Sequence, residues 1–193
     1  MAETQRVFIS INLPESFQAN IATIQQLIKS HNPDHKIRIT QPAGMHVTIQ
    51  FLGDVPSEQI SEITQHMIAA ARDFETFMVD FSEPGVFPDN RKPRVVWLGL
   101  HDKDHRLMAI QQQVTQRMKF LGYLPDKRRF HPHLTLGRIK DQRPIVIDHP
   151  DIHQVLACLE KWYCDHVALM RSEPSKEGAR YTVIHKETLH SRR

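Results

Sequence analysis

An α+β fold, with mostly antiparallel strands and amphipathic helices covering one face of each sheet, is what the 193-residue sequence predicts. Three observations point to it: short apolar–polar alternations, apolar stripes at steps of three and four between them, and a helix–strand order that runs twice. The first strand is Val7-Phe8-Ile9-Ser10-Ile11-Asn12, in which Val7, Ile9 and Ile11 share a face. Pro14 ends it and suits a first helical turn, and Phe17, Ile21, Ile24 and Ile28 draw one stripe along a helix from about Pro14 to Lys29. A short strand from Ile37 to Thr40 and the turn Pro42-Ala43-Gly44 lead into an alternating strand from His46 to Leu52, closed by Gly53 and Pro56. Ser57 is placed to cap a second helix with the stripe Ile60, Ile63, Met67 and Ala70 or Ala71. Strands at Phe77 to Phe81 and Arg94 to Leu100 follow.

The second half repeats the plan. Leu107, Ile110, Val114, Met118 and Leu121 mark a helix, Gly122 supplies its left-handed cap, and Phe130 to Ile139 reads as a strand. Asp151 is placed to cap a short helix through Ile152, Val155, Leu156 and Leu159. Tyr163 to Arg171 and Arg180 to Lys186 read as late strands joined by the turn-rich Glu173 to Gly178. No linker or low-complexity tract divides the chain, so residues 1–193 are expected to form one domain.

Composition narrows the class. Hydrophobic residues at 40% and charged residues at 24% describe a soluble folded chain rather than a disordered or membrane protein. No apolar run is long enough to span a bilayer and the first residues lack a secretory pattern, so the expected compartment is the cytoplasm. Cys158 and Cys164 form no CxxC pair and read as reduced, half-buried packing residues. The net charge of +3 permits a polyanionic partner without identifying one. Thirteen histidines raise the prior for proton transfer near neutral pH. His31, His35, His66, His101 and His190 sit among polar neighbours and read as solvated.

Two segments echo each other, His46-Val47-Thr48-Ile49 and His133-Leu134-Thr135-Leu136. On a strand, His46 and Thr48 share one face while Val47, Ile49 and Phe51 share the other. The same parity groups His133 with Thr135 and turns Leu134 and Leu136 away. If the halves are related by a rough two-fold axis, both polar faces line one cleft. Two imidazoles there can serve as base and acid on opposite sides of a phosphate, and the hydroxyls can hold its non-bridging oxygens. A strained 2′,3′-cyclic phosphate on RNA asks for no more apparatus than this.

With these motifs and their flanks, the chain resembles the two-histidine (2H) phosphoesterases, in particular the LigT-like RNA 2′,3′-cyclic phosphodiesterases. The resemblance rests on Arg6 to Pro14, Gly44 to Gly53, Pro93 to Leu100, Arg128 to Arg138 and Gly178-Ala179-Arg180-Tyr181. It implies a bilobal LigT-like fold, two mostly antiparallel sheets with helices on their outer faces and a pseudo-two-fold repeat around a central cleft. It also implies hydrolysis to a 2′-phosphomonoester without metal or other cofactor, with 2′-5′ joining of RNA ends as a reverse-type activity. Carried over, His46 is the acid that protonates the departing 3′ oxygen and His133 the base that activates water. Thr48 and Thr135 hold the phosphate, Phe8 stacks a base and Tyr181 lines the cleft. Arg138 matches a family arginine, yet strand parity sets it opposite Thr135. Either Gly137 introduces a bulge that re-aims it, or it serves the rim or the fold. His131 reads as a rim histidine.

The expected partner is RNA or a nucleotide ending in a 2′,3′-cyclic phosphate, bound by a monomer. The competing readings are a non-catalytic nucleotide-binding or RNA-binding module of the same fold, and a relative acting on another cyclic phosphate or on 2′-5′ oligoadenylate. A catalytic metal site is disfavoured: Pro150 interrupts His149 and His153 as a helical pair, and no HExxH or Cys/His knuckle spacing occurs.

Overall fold

The apolar stripes and alternations become four helices and nine strands in the computed structural model, which describes residues 3–175 and 178–191. In chain order they are β1 (Thr4–Asn12), α1 (Gln18–Ser30), β2 (Ile37–Ile39), β3 (His46–Pro56), α2 (Ile60–Ala71), β4 (Phe77–Phe87), β5 (Val95–His101), α3 (Arg106–Phe120), β6 (His133–Ile139), α4 (Pro150–Ala157), β7 (Trp162–Cys164), β8 (His166–Ser175) and β9 (Gly178–Thr188). Two sheets result, ordered β3-β1-β8-β9 and β2-β6-β5-β4-β7, and every named strand pairing is antiparallel.

The repeat predicted from the sequence is real and crossed. Each half reads strand, helix, strand, helix, strand: β1-α1-β3-α2-β4, leaving aside the short β2, and then β5-α3-β6-α4-β8, leaving aside β7. The first two strands of each half pair together, but the third joins the other half's sheet. The helices cross over too: α1 and α4 pack on each other and reach β6 and β4, while α2 and α3 pack on each other and reach β8 and β3. One apolar core therefore draws on both sheets, with Ile9, Ile24, Ile63, Leu98, Ile110 and Leu134 each at most 1% exposed. Crossed strands and helices fix the two sheets to each other, and β3 meets β6 between them.

Several local readings change. β3 runs through Gly53, which adopts φ 83°, and ends at Pro56, and β4 extends to Phe87. Gly122 does take the left-handed conformation, at φ 87°. β6 begins only at His133, because Pro132 lacks the N–H a ladder needs. Ser57 does not cap α2; it opens a 3-10 turn and accepts a hydrogen bond from Gln5. The α4 cap is His149, whose Nδ1 accepts the amide of Asp151 at 3.3 Å. Pro150 is the first residue of that helix rather than an interruption. At the start of α3, Asp102 accepts the amides of Arg106 and Leu107. Cys158 is exposed and Cys164 buried. His31, His35 and His66 are half-buried rather than solvated; His101 and His190 are exposed. Lys176 and Glu177, within the turn expected at Glu173 to Gly178, lie outside the described residues.

Candidate active site

His46 and His133 stand at the first positions of β3 and β6, and the same local device holds both rings. His46 Nδ1 donates to Gly44 O at 2.7 Å, and His133 Nδ1 donates to His131 O at 2.6 Å. A carbonyl only accepts, so each Nδ1 carries the proton and each Nε2 keeps its lone pair for the other side of the ring. Gly44 has a second duty, since a Cβ there would lie 2.9 Å from Tyr181 Cδ2.

Beyond each His-x-Thr the strand bulges, and the two bulges are equivalent. In β3, Ser10 pairs with Thr48 but Ile9 pairs with Gln50; in β6, Trp97 pairs with Thr135 but Val96 pairs with Gly137. Ile49 and Leu136 are the extra residues, and parity flips after them. His46, Thr48 and Phe51 oppose Asn12, Ser10 and Phe8 at alternate positions of β1, so all three share one face. His133, Thr135 and Arg138 oppose Gly99, Trp97 and Val95, so they share one face as well. Phe51 was expected beside Val47 and Ile49; instead it is 46% exposed, with Arg6 Cζ 4.8 Å from its ring centroid. Arg138 is exposed on the side of Thr135, because the strand bulges at Leu136 rather than at Gly137.

Gln25 supports the second bulge from α1. It is 2% exposed, and its Nε2 donates to Leu136 O at 2.7 Å and to Thr40 O at 2.8 Å. The first bulge is tied through Gln50, whose Nε2 donates to Tyr123 O at 3.1 Å.

Aromatic rings frame both histidines. His46 lies 4.6 Å from Phe8 and meets Tyr181 edge-on at 5.0 Å. Phe8, expected to stack a base, is only 2% exposed and lies against the imidazole instead. His133 meets Phe87 edge-on at 5.0 Å and Trp97 at 6.1 Å. Trp97 lies over Gly85, where a Cβ would come within 2.1 Å of the indole. His131, exposed at the rim, packs 4.7 Å from Trp97.

This setting shapes the proton chemistry. Burial pulls the His46 pKa down to about 4; the Gly44 carbonyl offsets part of that, and the charge of His133 adds to it. His133 is also lowered, by burial first, with the His131 carbonyl opposing and the His131 ring assisting. His133 therefore bears on the charge of His46 although the two belong to different sheets.

A cavity of about 460 Å³ is lined by His46, Thr48, Phe51, Arg6 and Tyr181, and an adjoining one of about 360 Å³ by Arg38, Arg138, Arg180 and Tyr181. His133 and Thr135 belong to the other sheet and lie on neither wall. Of the predicted residues, His46, Thr48, Phe8 and Tyr181 are thus gathered around one hollow, with Arg138 on the wall of the adjoining one. Sequence reading missed Gln25, Phe87 and Trp97. Gln25 lies four residues after Ile21 and three before Ile28, on the core face of its helix, a place where a polar residue signals a buried amide.

The comparisons agree with this architecture. A family model described as the 2'-5' RNA ligase superfamily matches residues 7–176. An RNA 2',3'-cyclic phosphodiesterase of Methanothermobacter thermautotrophicus is 29% identical over 92% of this chain and 95% of its own length. One of Archaeoglobus fulgidus is 30% identical over 74% of this chain and 77% of its own. LigT of E. coli in its apo form superposes with a TM-score of 0.76 at 22% identity, over 98% of this chain and 100% of that one, which establishes the shared fold. Twin His-x-Thr strands on a crossed two-sheet frame and a family match over most of the sequence lead to one assignment: the chain belongs to the 2'-5' RNA ligase superfamily.

Proposed function

We propose that this protein is a cyclic phosphodiesterase that hydrolyses RNA 2′,3′-cyclic phosphate ends to 2′-phosphomonoesters, with residues 1–193 acting as one bilobal domain. The observation that carries the reading is the pair of imidazoles, each with Nδ1 tied to the carbonyl two residues before it and Nε2 left for proton transfer. The names of its relatives support the substrate class.

In this reading one imidazole takes a proton from water as its oxygen bonds to phosphorus. The P–O3′ bond breaks, and the other imidazole delivers a proton to O3′. Thr48, Thr135 and Arg138 hold the non-bridging oxygens where charge accumulates. Tyr181 and Phe8 steady the His46 ring, and Phe51, half exposed beside Arg6, receives a base. A 5′-hydroxyl in place of water gives a 2′-5′ linkage by the same proton movements.

The family resemblance makes His46 the acid and His133 the base. In the free protein burial disfavours the proton on His46 strongly, so the donor role requires the substrate's phosphate charge to draw a proton onto it. The test is an RNA ending in a 2′,3′-cyclic phosphate, assayed in chelator with wild type, His46→Ala and His133→Ala. A 2′-phosphate product formed by wild type and lost in both variants supports the reading, and full activity in either variant overturns it. A 3′-bridging sulfur substrate identifies the acid, because a good leaving group rescues only the variant that lacks the proton donor.

A further inference from the structure

Two helix ends bring three ligating groups together outside the cavity walls. His31 caps the C-terminus of α1, His149 caps the N-terminus of α4, and Asp151 lies in the first turn of α4. His31 Nε2 is 3.3 Å from Asp151 Oδ2, and His149 Nδ1 is 3.4 Å from the same oxygen. The two rings stack with centroids 3.6 Å apart, and all three groups place a ligand atom within 4.8 Å of one another. We propose that His31, His149 and Asp151 bind a divalent transition-metal ion of the zinc class, which fastens α1 to α4.

The distances fit. Metal bonds of about 2.0–2.2 Å at tetrahedral angles set neighbouring ligand atoms roughly 3.4 Å apart. His31 Nε2 is buried with no hydrogen-bond partner although the carboxylate oxygen is so close. The nitrogen is beside that oxygen without being aimed at it, as two ligands flanking a third atom would be, and buried polar atoms are otherwise nearly always satisfied. His149 Nδ1 is unprotonated, its lone pair engaged with the Asp151 amide, and seating an ion exchanges that long 3.3 Å cap bond for a metal bond. Two imidazoles and one carboxylate suit zinc or cobalt rather than calcium or magnesium, which prefer oxygen ligands.

The frame is rigid before any ion arrives. Asn32, next to His31 and 3% exposed, donates to Ile28 O and Val146 O at 2.7 Å each and accepts the Val146 amide at 2.8 Å. It pins the segment ahead of α4 to the end of α1. Seating the ion parts the stacked rings by side-chain rotation and leaves a fourth position for water. His153 is engaged elsewhere, with Asp148 at 2.6 Å and Glu83 at 3.1 Å. Because α1 and α4 cover the sheet that carries His133, the ion stabilises that half of the molecule by mass action.

The test uses untagged full-length protein stripped with chelator and titrated with cobalt(II), followed by zinc(II) competition. Expected are one ion per chain, the visible absorption of four-coordinate cobalt, and a Tm raised by zinc. His31→Ala and Asp151→Asn should each weaken binding more than about tenfold, the loss seen even for groups that merely support a ligand. His46→Ala/His133→Ala should keep the cobalt spectrum, and His31→Ala and Asp151→Asn should keep the hydrolytic rate. Circular dichroism of the metal-free variants establishes that they fold, with Asp151→Asn serving should His31→Ala not. Absence of the cobalt spectrum in wild type, its survival in both ligand variants, or its loss in His46→Ala/His133→Ala overturns the proposal.

Discussion

Arg138 and Thr135 project from the same face of β6 although they are separated by an odd number of positions, because Leu136 bulges out of the pairing with β5. Phe51 stands to Thr48 in the same relation through Ile49. The pseudo-symmetric strands thus deliver a cation at one site and an aromatic ring at the other, beyond the same His-x-Thr pair. In the proposed function, a phosphate and the base attached to it meet this difference.

Gln25 holds the β6 bulge by donating to the carbonyls of Leu136 and Thr40. Gln25→Leu leaves carbonyl hydrogen bonds unmade in a buried place and should cost about 1–3 kcal/mol of stability. In the proposed function Arg138 binds the phosphate, so loosening the bulge should raise KM more than it lowers kcat. Urea denaturation and steady-state kinetics on a cyclic-phosphate dinucleotide check both.

His46→Ala and His133→Ala should each lower the hydrolysis rate by at least ~10²-fold, the reach of one proton-transfer group, with the fold intact. Single-turnover rates alongside circular dichroism separate lost chemistry from lost structure.

The pH dependence follows from two lowered imidazoles. The proposed reaction needs one ring neutral and one protonated, so kcat/KM should trace a bell whose maximum lies on the acid side of neutrality. It should fall at higher pH as the remaining imidazolium proton leaves. Stability has its own signature. His46 is neutral in the fold and titrates near 6.5 when unfolded, so its contribution is complete above pH 6.5 and is lost as pH falls toward about 4. Profiles of kcat/KM and Tm against pH, with His46→Ala as reference, read the two effects.

Gly85→Ala would place a Cβ 2.1 Å from the Trp97 indole, which packs against His131 and His133. Overpacking of this kind costs typically about 1–3 kcal/mol. The variant should melt earlier, show altered tryptophan emission and turn over more slowly than its stability loss explains.

The two thiols should separate cleanly. Cys164 is 1% exposed and burial pushes its pKa up, whereas Cys158 is exposed. A thiol reagent should modify one cysteine in the native protein and two in denaturant.

The sequence by itself determined the α+β class, the repeated strand–helix plan and the residues of the two histidine motifs. Those are local signals, since a period of two or of 3.6 and a His-x-Thr on a strand are legible within a dozen residues. It also settled the faces of His46, Thr48, His133 and Thr135, which precede any break in alternation. Only the tertiary structure decided where Phe51 and Arg138 point. A bulge is set by the neighbouring strand's register and by distant support such as Gln25, and neither is written into the bulged segment. The crossing of third strands and helices between the two sheets, the burial that lowers both imidazoles, and the meeting of His31 with His149 and Asp151 have the same origin. Each depends on which surfaces apolar packing brings face to face, and that is a property of the whole chain.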